Sequence, residues 1–158
     1  MGLLDSSTVT DSREVDSEIE DLQENLLAEW QEQRKIERAE TGADREGEDD
    51  EDEPDMYDIG MLTALKIPGQ KEDLGNLIKL LKFREEARQY CEWDDGETLI
   101  EADYFKDYAE EVANDIGAVD RNASWPLNHI DWEAAADALK EDYVSISFGD
   151  EEWYVRNS

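Results

Sequence analysis

From Ser12 to Ala39 the apolar residues Val15, Ile19, Leu22, Leu26, Leu27, Trp30 and Ile36 recur among Glu, Gln and Arg, with no Gly or Pro between them. Positions three and four apart share one face of a helix, so this spacing predicts one long amphipathic helix. The stripe is narrow and drifts off a heptad, because Glu29 and Gln33 fall where a seam from Val15 through Leu26 would continue. Packing on its own chain, or weak self-association, is therefore expected in preference to a stable coiled coil. The pattern breaks at residues 41–58, TGADREGEDDEDEPDMYD, where seven of the eight positions from Glu46 to Glu53 are acidic. Such a run has too little apolar surface to fold, and it predicts a disordered linker. That linker is either a solvated spacer or a flexible polyanion that touches a basic surface.

Beyond Asp58 the apolar positions return. Ile59, Met61, Leu62 and Leu65 predict a short helix that stops before Ile67-Pro68-Gly69, since the residue preceding proline avoids helical angles. A second helix is expected from about Glu72 to Gln89, burying Leu74, Leu77, Ile78, Leu81 and Phe83. Its cations Lys79, Lys82, Arg84 and Arg88 are read as neutralising nearby carboxylates. After a turn at Trp93-Asp94-Asp95-Gly96, Thr98 to Ile100 reads as a short extended piece. The next helix spans about Asp103 to Ile116, with Tyr104, Phe105, Tyr108, Val112 and Ile116 on one face and Asp107, Glu110, Glu111 and Asp115 on the other; Gly117 stops it. Trp125-Pro126-Leu127 predicts a loop with an aromatic anchor. Asp131 is placed to cap a helix from Trp132 to about Asp142. The period-two pattern Val144-Ser145-Ile146-Ser147-Phe148, the Gly149-Asp150 turn and the return Trp153-Tyr154-Val155 predict a β-hairpin.

The expected fold class is α+β and mostly helical: a long N-terminal amphipathic helix over residues 1–40, an acidic disordered linker over 41–58, a helical segment over 59–91, and a compact, acidic, helical C-terminal domain over 92–158 closed by a small β-hairpin. Four of the five Trp lie at or after Trp93, which gives the back of the chain material for a core.

Charge changes the picture from fold to function. The 158 residues carry 45 acids and 15 bases, a net of −30, against a magnitude of about 2–8 that suffices for solubility in a small domain. The excess sits at the two ends: residues 1–60 hold 22 acids and 5 bases, 61–91 hold 4 and 6, and 92–158 hold 19 and 4. Self-repulsion of this size opposes compaction and points to a basic partner. It argues against direct binding of nucleic acid, whose affinity comes largely from Lys and Arg on phosphates.

Candidate chemistry is sparse. One His and one Cys cannot supply a His- or Cys-based metal site, and no Gly-rich phosphate loop precedes a Lys-Ser or Lys-Thr pair. His129, beside Ile130, reads as a hydrogen-bonded core or boundary histidine. Carboxylates are too abundant for any pair to mark a catalytic cleft. The reading is therefore a protein that is not an enzyme and that carries no cofactor or metal. Cys91 has no partner for a disulfide, no apolar run approaches the roughly 20 residues that span a bilayer, and the N-terminus lacks a secretion signal, so a host bacterial cytoplasm is expected.

The residues Tyr104-Phe105, Asp107-Tyr108-Ala109-Glu110-Glu111, Asp115-Ile116-Gly117, Trp125-Pro126-Leu127, Ile130-Asp131-Trp132-Glu133-Ala134-Ala135, Asp142-Tyr143 and Trp153-Tyr154-Val155-Arg156 carry a likeness. On them the stretch from Gly96 to Arg156 resembles the ArdA family of antirestriction proteins, in particular its short phage-encoded members. The resemblance implies a phage counter-defence inhibitor, often dimeric, that imitates B-DNA and occupies the DNA groove of a type I restriction-modification enzyme.

The charge count leads to the same place. Duplex DNA carries one charge per about 1.7 Å of axis, so a net of 30 charges matches about 15 base pairs. Acids three and four apart on a helix stand about 5–6 Å from each other, near the spacing of phosphates along a strand. The candidate partner-binding carboxylates are Asp94, Asp95, Glu97, Asp103, Asp107, Glu110, Glu111, Asp115, Glu133, Asp137, Glu141, Asp142, Asp150, Glu151 and Glu152. The alternatives are an acidic chaperone or adaptor for a basic nucleoid or viral protein, in which residues 46–53 dominate, and a DNA mimic aimed at another defence system such as a CRISPR effector.

Overall fold

A computed structural model describes Leu4, residues 8–42 and residues 53–158. It is α+β and mostly helical, with a small antiparallel sheet. In chain order the elements are β1 (Val9–Asp11), α1 (Ser12–Thr41), α2 (Ile59–Ala64), α3 (Lys71–Ala87), β2 (Thr98–Glu101), α4 (Phe105–Asp115), α5 (Trp132–Lys140), β3 (Tyr143–Phe148) and β4 (Glu151–Arg156). Short 3₁₀ turns at Trp93–Asp95 and Ala102–Tyr104 lead into β2 and α4 respectively. The chain divides into two compact units, one of residues 1–15 with 83–158 and one of residues 16–82.

The unit of residues 16–82 holds most of α1, all of α2 and most of α3. Ile19, Gln23 and Leu26 are buried along α1 at spacings of three and four, while Ile36 is exposed. The apolar stripe is thus used in the first half of the helix and left open towards its end. On α3 the buried set is Leu74, Leu77, Leu80, Leu81, Phe83 and Ala87; Ile78 is only half-buried. Most of the expected 41–58 linker, residues 43–52, lies outside the described residues. Its last part is not linker-like: Pro54 and Met56 are buried, and the Met56 carbonyl accepts a buried hydrogen bond from Gln23 Nε2 at 2.8 Å. Asp58 caps α2 by accepting from the Met61 N–H.

In the other unit the expected hairpin is half of a four-stranded antiparallel sheet of order β1-β2-β4-β3. Val9, Thr10 and Asp11 pair with Ile100, Leu99 and Thr98, and Leu99 and Ile100 pair on their other side with Val155 and Tyr154. Gly149 turns the hairpin with a φ of 61°. A left-handed residue only at the first central position is the sign pattern of a type II′ turn, which matches strand twist. The C-terminal domain expected over 92–158 therefore shares its sheet with residues 9–11. A three-residue strand has too little periodicity to be read in advance, and it becomes a strand only where the β2 edge satisfies its backbone groups. Ser12 fixes the join: its N–H donates to the Glu97 carbonyl at 2.9 Å, its buried hydroxyl donates to the Trp93 carbonyl at 2.7 Å, and it accepts from the Glu97 N–H at 2.8 Å.

Alternation sorts the sheet into two faces. Thr10, Leu99, Ile146, Phe148, Trp153 and Val155 are buried on one, where Phe83 meets Phe148 and Trp93 edge-to-face at ring separations of 5.9 and 6.1 Å. On the other, Ile100, Tyr143 and Tyr154 meet α4 and α5.

Among the described residues no helix is long and apolar enough to cross a membrane.

Candidate carboxylate surface

Phe105 is the centre of the packing that holds α4 and α5. It is 0% exposed and clusters with Ile100, Ala109 and Ala136. Its ring lies 5.9 Å from Tyr108, 5.1 Å from Tyr143 and 5.0 Å from Tyr154, in tilted or edge-on geometries. Such pairs add about 0.5–1.5 kcal/mol each beyond area burial. Lys140, at the end of α5, places its ammonium 5.4 Å from the Phe105 ring and 5.2 Å from the Tyr154 ring, tying the helix end to the same cluster.

With Phe105 and Ala109 facing inward, Asp107, Glu110, Glu111 and Asp115 are forced outward, and all four are exposed. On α5, Asp131 accepts from the Ala134 N–H at 3.0 Å as N-cap, and Ala136 faces the core. Glu133, Asp137, Glu141 and Asp142 are exposed. Asp103, Asp94, Asp95, Asp150, Glu151 and Glu152 are exposed too, whereas Glu97 is half-buried beside Ser12. Every residue of the candidate set lies in the unit that contains the sheet.

These carboxylates are largely uncompensated. Among the described residues only Asp94 and Asp137 of the set pair with a cation, Asp94 with Arg88 at 2.7 Å and Asp137 with Lys140 at 4.0 Å. The first gives Arg88, one residue past the end of α3, the neutralising role expected of it. Glu111 accepts the Tyr104 hydroxyl at 2.7 Å, which fixes its direction. Acids at i, i+3 and i+4 repel by about 0.2–0.5 kcal/mol a pair. Asp115 also sits in the last turn of α4, where there is no basic residue and where the helix dipole disfavours an anion. The helix thus bears an electrostatic cost that its own fold does not relieve.

The loop between α4 and α5 departs from expectation. Trp125 is 77% exposed and Leu127 73%, so the loop carries no aromatic anchor; Ile116, expected on the buried face of α4, is 74% exposed because it lies past the helix end. His129 is exposed rather than a core or boundary residue. The loop instead walls a cleft of about 670 Å³ along α4, lined by Tyr104, Asp107, Glu110, Glu111, Asn114, Val119, Asp120, Arg121, Leu127, Asn128, Ile130 and Trp132. Asp120 was missed in the sequence because it stands alone in a loop, with no helical partner to mark it. Among the described residues no group of three or more His, Cys, Asp or Glu is placed to hold a metal ion.

Burial and neighbouring anions push several protons to stay on. Burial first, then the Glu97 and Glu92 charges, move the Cys91 thiol up to about 11 from 9.0. Burial and the Tyr108 hydroxyl raise Tyr143, burial raises Tyr154, and the hydrogen bond to Glu111 raises Tyr104. A group whose proton is held more tightly when folded contributes stability below its unfolded value and loses it as pH rises towards the folded one. Stability is therefore expected to fall progressively between about pH 9 and 11. Denaturant midpoints measured across that range check this; a constant midpoint would contradict it.

Comparison of the chain with family models, with curated proteins and with solved structures finds no match.

Proposed function

We propose that the protein is a non-enzymatic, DNA-mimicking antirestriction protein that occupies the DNA groove of a type I restriction-modification enzyme. The observation that carries this reading is the exposed, mostly unpaired carboxylates of α4 and α5, held at helical spacing over a buried aromatic core. A protein that needed acids only for solubility would gain by scattering them and pairing them with its own cations. Here they are left free for cations supplied from outside. Lys and Arg that line a DNA groove would meet these side chains as they meet phosphates, releasing bound ions and excluding DNA without turnover. The likeness of residues 96–156 to the ArdA family supports the choice of target.

The test mixes the full chain with the methyltransferase core of a type I enzyme and follows binding of labelled duplex by anisotropy. Near-equimolar protein is expected to displace DNA at low salt, and the inhibition is expected to weaken as salt screens the ion pairs. Undiminished DNA binding at low salt and excess protein would refute the reading. The intact chain is required, because truncation at residue 58 would remove β1 and with it an edge of the sheet.

A further inference from the structure

We infer that the cleft along α4 docks an amphipathic, basic segment of a protein partner, with arginine or lysine side chains on its carboxylates and apolar side chains on the exposed loop. The lining mixes charged and apolar side chains. Asp107, Glu110 and Glu111 come from α4 and Asp120 from the loop, and the same lining holds one cation, Arg121, and the apolar Leu127 and Ile130. Leu127, in the lining, and Trp125, two residues before it and outside the lining, are about three-quarters exposed. Exposed apolar patches rimmed by polar residues mark interaction sites, and Trp is enriched where binding energy concentrates.

Charge complementarity selects the occupant. A second copy of a chain with a net charge of −30 would bring further anions against a lining of four carboxylates and a single arginine, which is net negative, and a nucleic acid would do the same. A purely cationic segment would leave the loop uncovered. Only a segment that carries both cations and apolar side chains satisfies both the carboxylates and the apolar part of the lining. This goes beyond imitation of DNA, which offers a protein groove no exposed indole. It also holds whichever enzyme is the target.

The test uses two labelled helical peptides of equal length and equal charge. One interleaves arginine with leucine; in the other every leucine is glutamine. By anisotropy the leucine peptide is expected to bind the full chain about tenfold more tightly or better, since burying a leucine on apolar surface is worth at least that factor, and to keep that advantage at high salt. Trp125→Ala and Leu127→Ser, made separately at exposed positions, are each expected to shrink the advantage and to leave binding of the glutamine peptide unchanged. D107N/E110Q/E111Q is expected to weaken both peptides. Equal binding of the two peptides, or an advantage untouched by both loop variants, overturns the inference. Displacement of DNA from a methyltransferase is a separate measurement, so failure there with the peptide preference intact would count against the inhibitor reading alone.

Discussion

Replacing Phe105 by alanine is expected to lower the free energy of unfolding by about 3–5 kcal/mol, the usual loss when a buried phenylalanine is truncated. The residue justifies the upper part of that range. It is fully buried, three tyrosine rings lean on it within 6 Å, and the Lys140 ammonium sits over it. Truncation removes those ring pairs along with the transferred area and leaves a cavity between the sheet and two short helices. Helices of 11 and 9 residues cannot stand on intrinsic propensity, so α4 and α5 depend on this contact. Equilibrium unfolding in urea, followed by near-ultraviolet circular dichroism, measures the change. F105L, which keeps most of the volume but not the ring pairs, is expected to fall between the two. A loss below about 1 kcal/mol would show that the helices are held by something other than this core. On the proposed function F105A would also weaken inhibition without altering a single charge, because the array needs a platform.

Neutralising α4 alone is expected to have the opposite signature. The variant D107N/E110Q/E111Q/D115N keeps the shape of each side chain and removes four charges from one exposed face. If each exposed pair with a partner cation is worth about 0.2–1 kcal/mol, affinity for the methyltransferase core should fall by roughly 1–4 kcal/mol, from about fivefold to several hundredfold. The deficit should shrink as salt rises, since it consists of screened ion pairs. Stability should hold or increase, because repulsion between successive turns is removed and an anion leaves the negative end of the helix. Titration calorimetry at two salt concentrations, with thermal melts of both proteins, separates the two effects. Unchanged affinity would take α4 out of the interface; a large loss of stability would mean that these acids serve the fold.

Much of the local structure was legible because local chemistry decides it. The helix expected over 12–39 runs from Ser12 to Thr41, and the helix expected from Asp131 as cap begins at Trp132. In the first the apolar period decides, and in the second the period and the capping residue agree. The hairpin was legible for the same reason, as alternation and a Gly-Asp turn coincide at residues 144–155. Expectations failed where a residue depends on distant chain. Trp125 and Ile116 are apolar enough to be core residues, yet the loop gives them no surface to pack on. Residues 53–58 read as linker and are held by Gln23, a contact that spans 33 positions.

Composition alone set the net charge of −30 and its concentration at the two ends of the chain. Periodicity alone set which side of α4 and α5 would bear the acids, since a helix with Phe105 and Ala109 inward has no other place for them. Only the tertiary structure decided that residues 9–11 complete the sheet, that Phe105 gathers three tyrosines from different elements, and that Asp120 joins the α4 carboxylates in one cleft with Leu127 and Ile130. The reason is range: spacing and charge act over a turn of helix or a pair of strands and are written in consecutive residues. A ladder edge, an aromatic cluster or a cleft exists only once segments far apart in the chain have met.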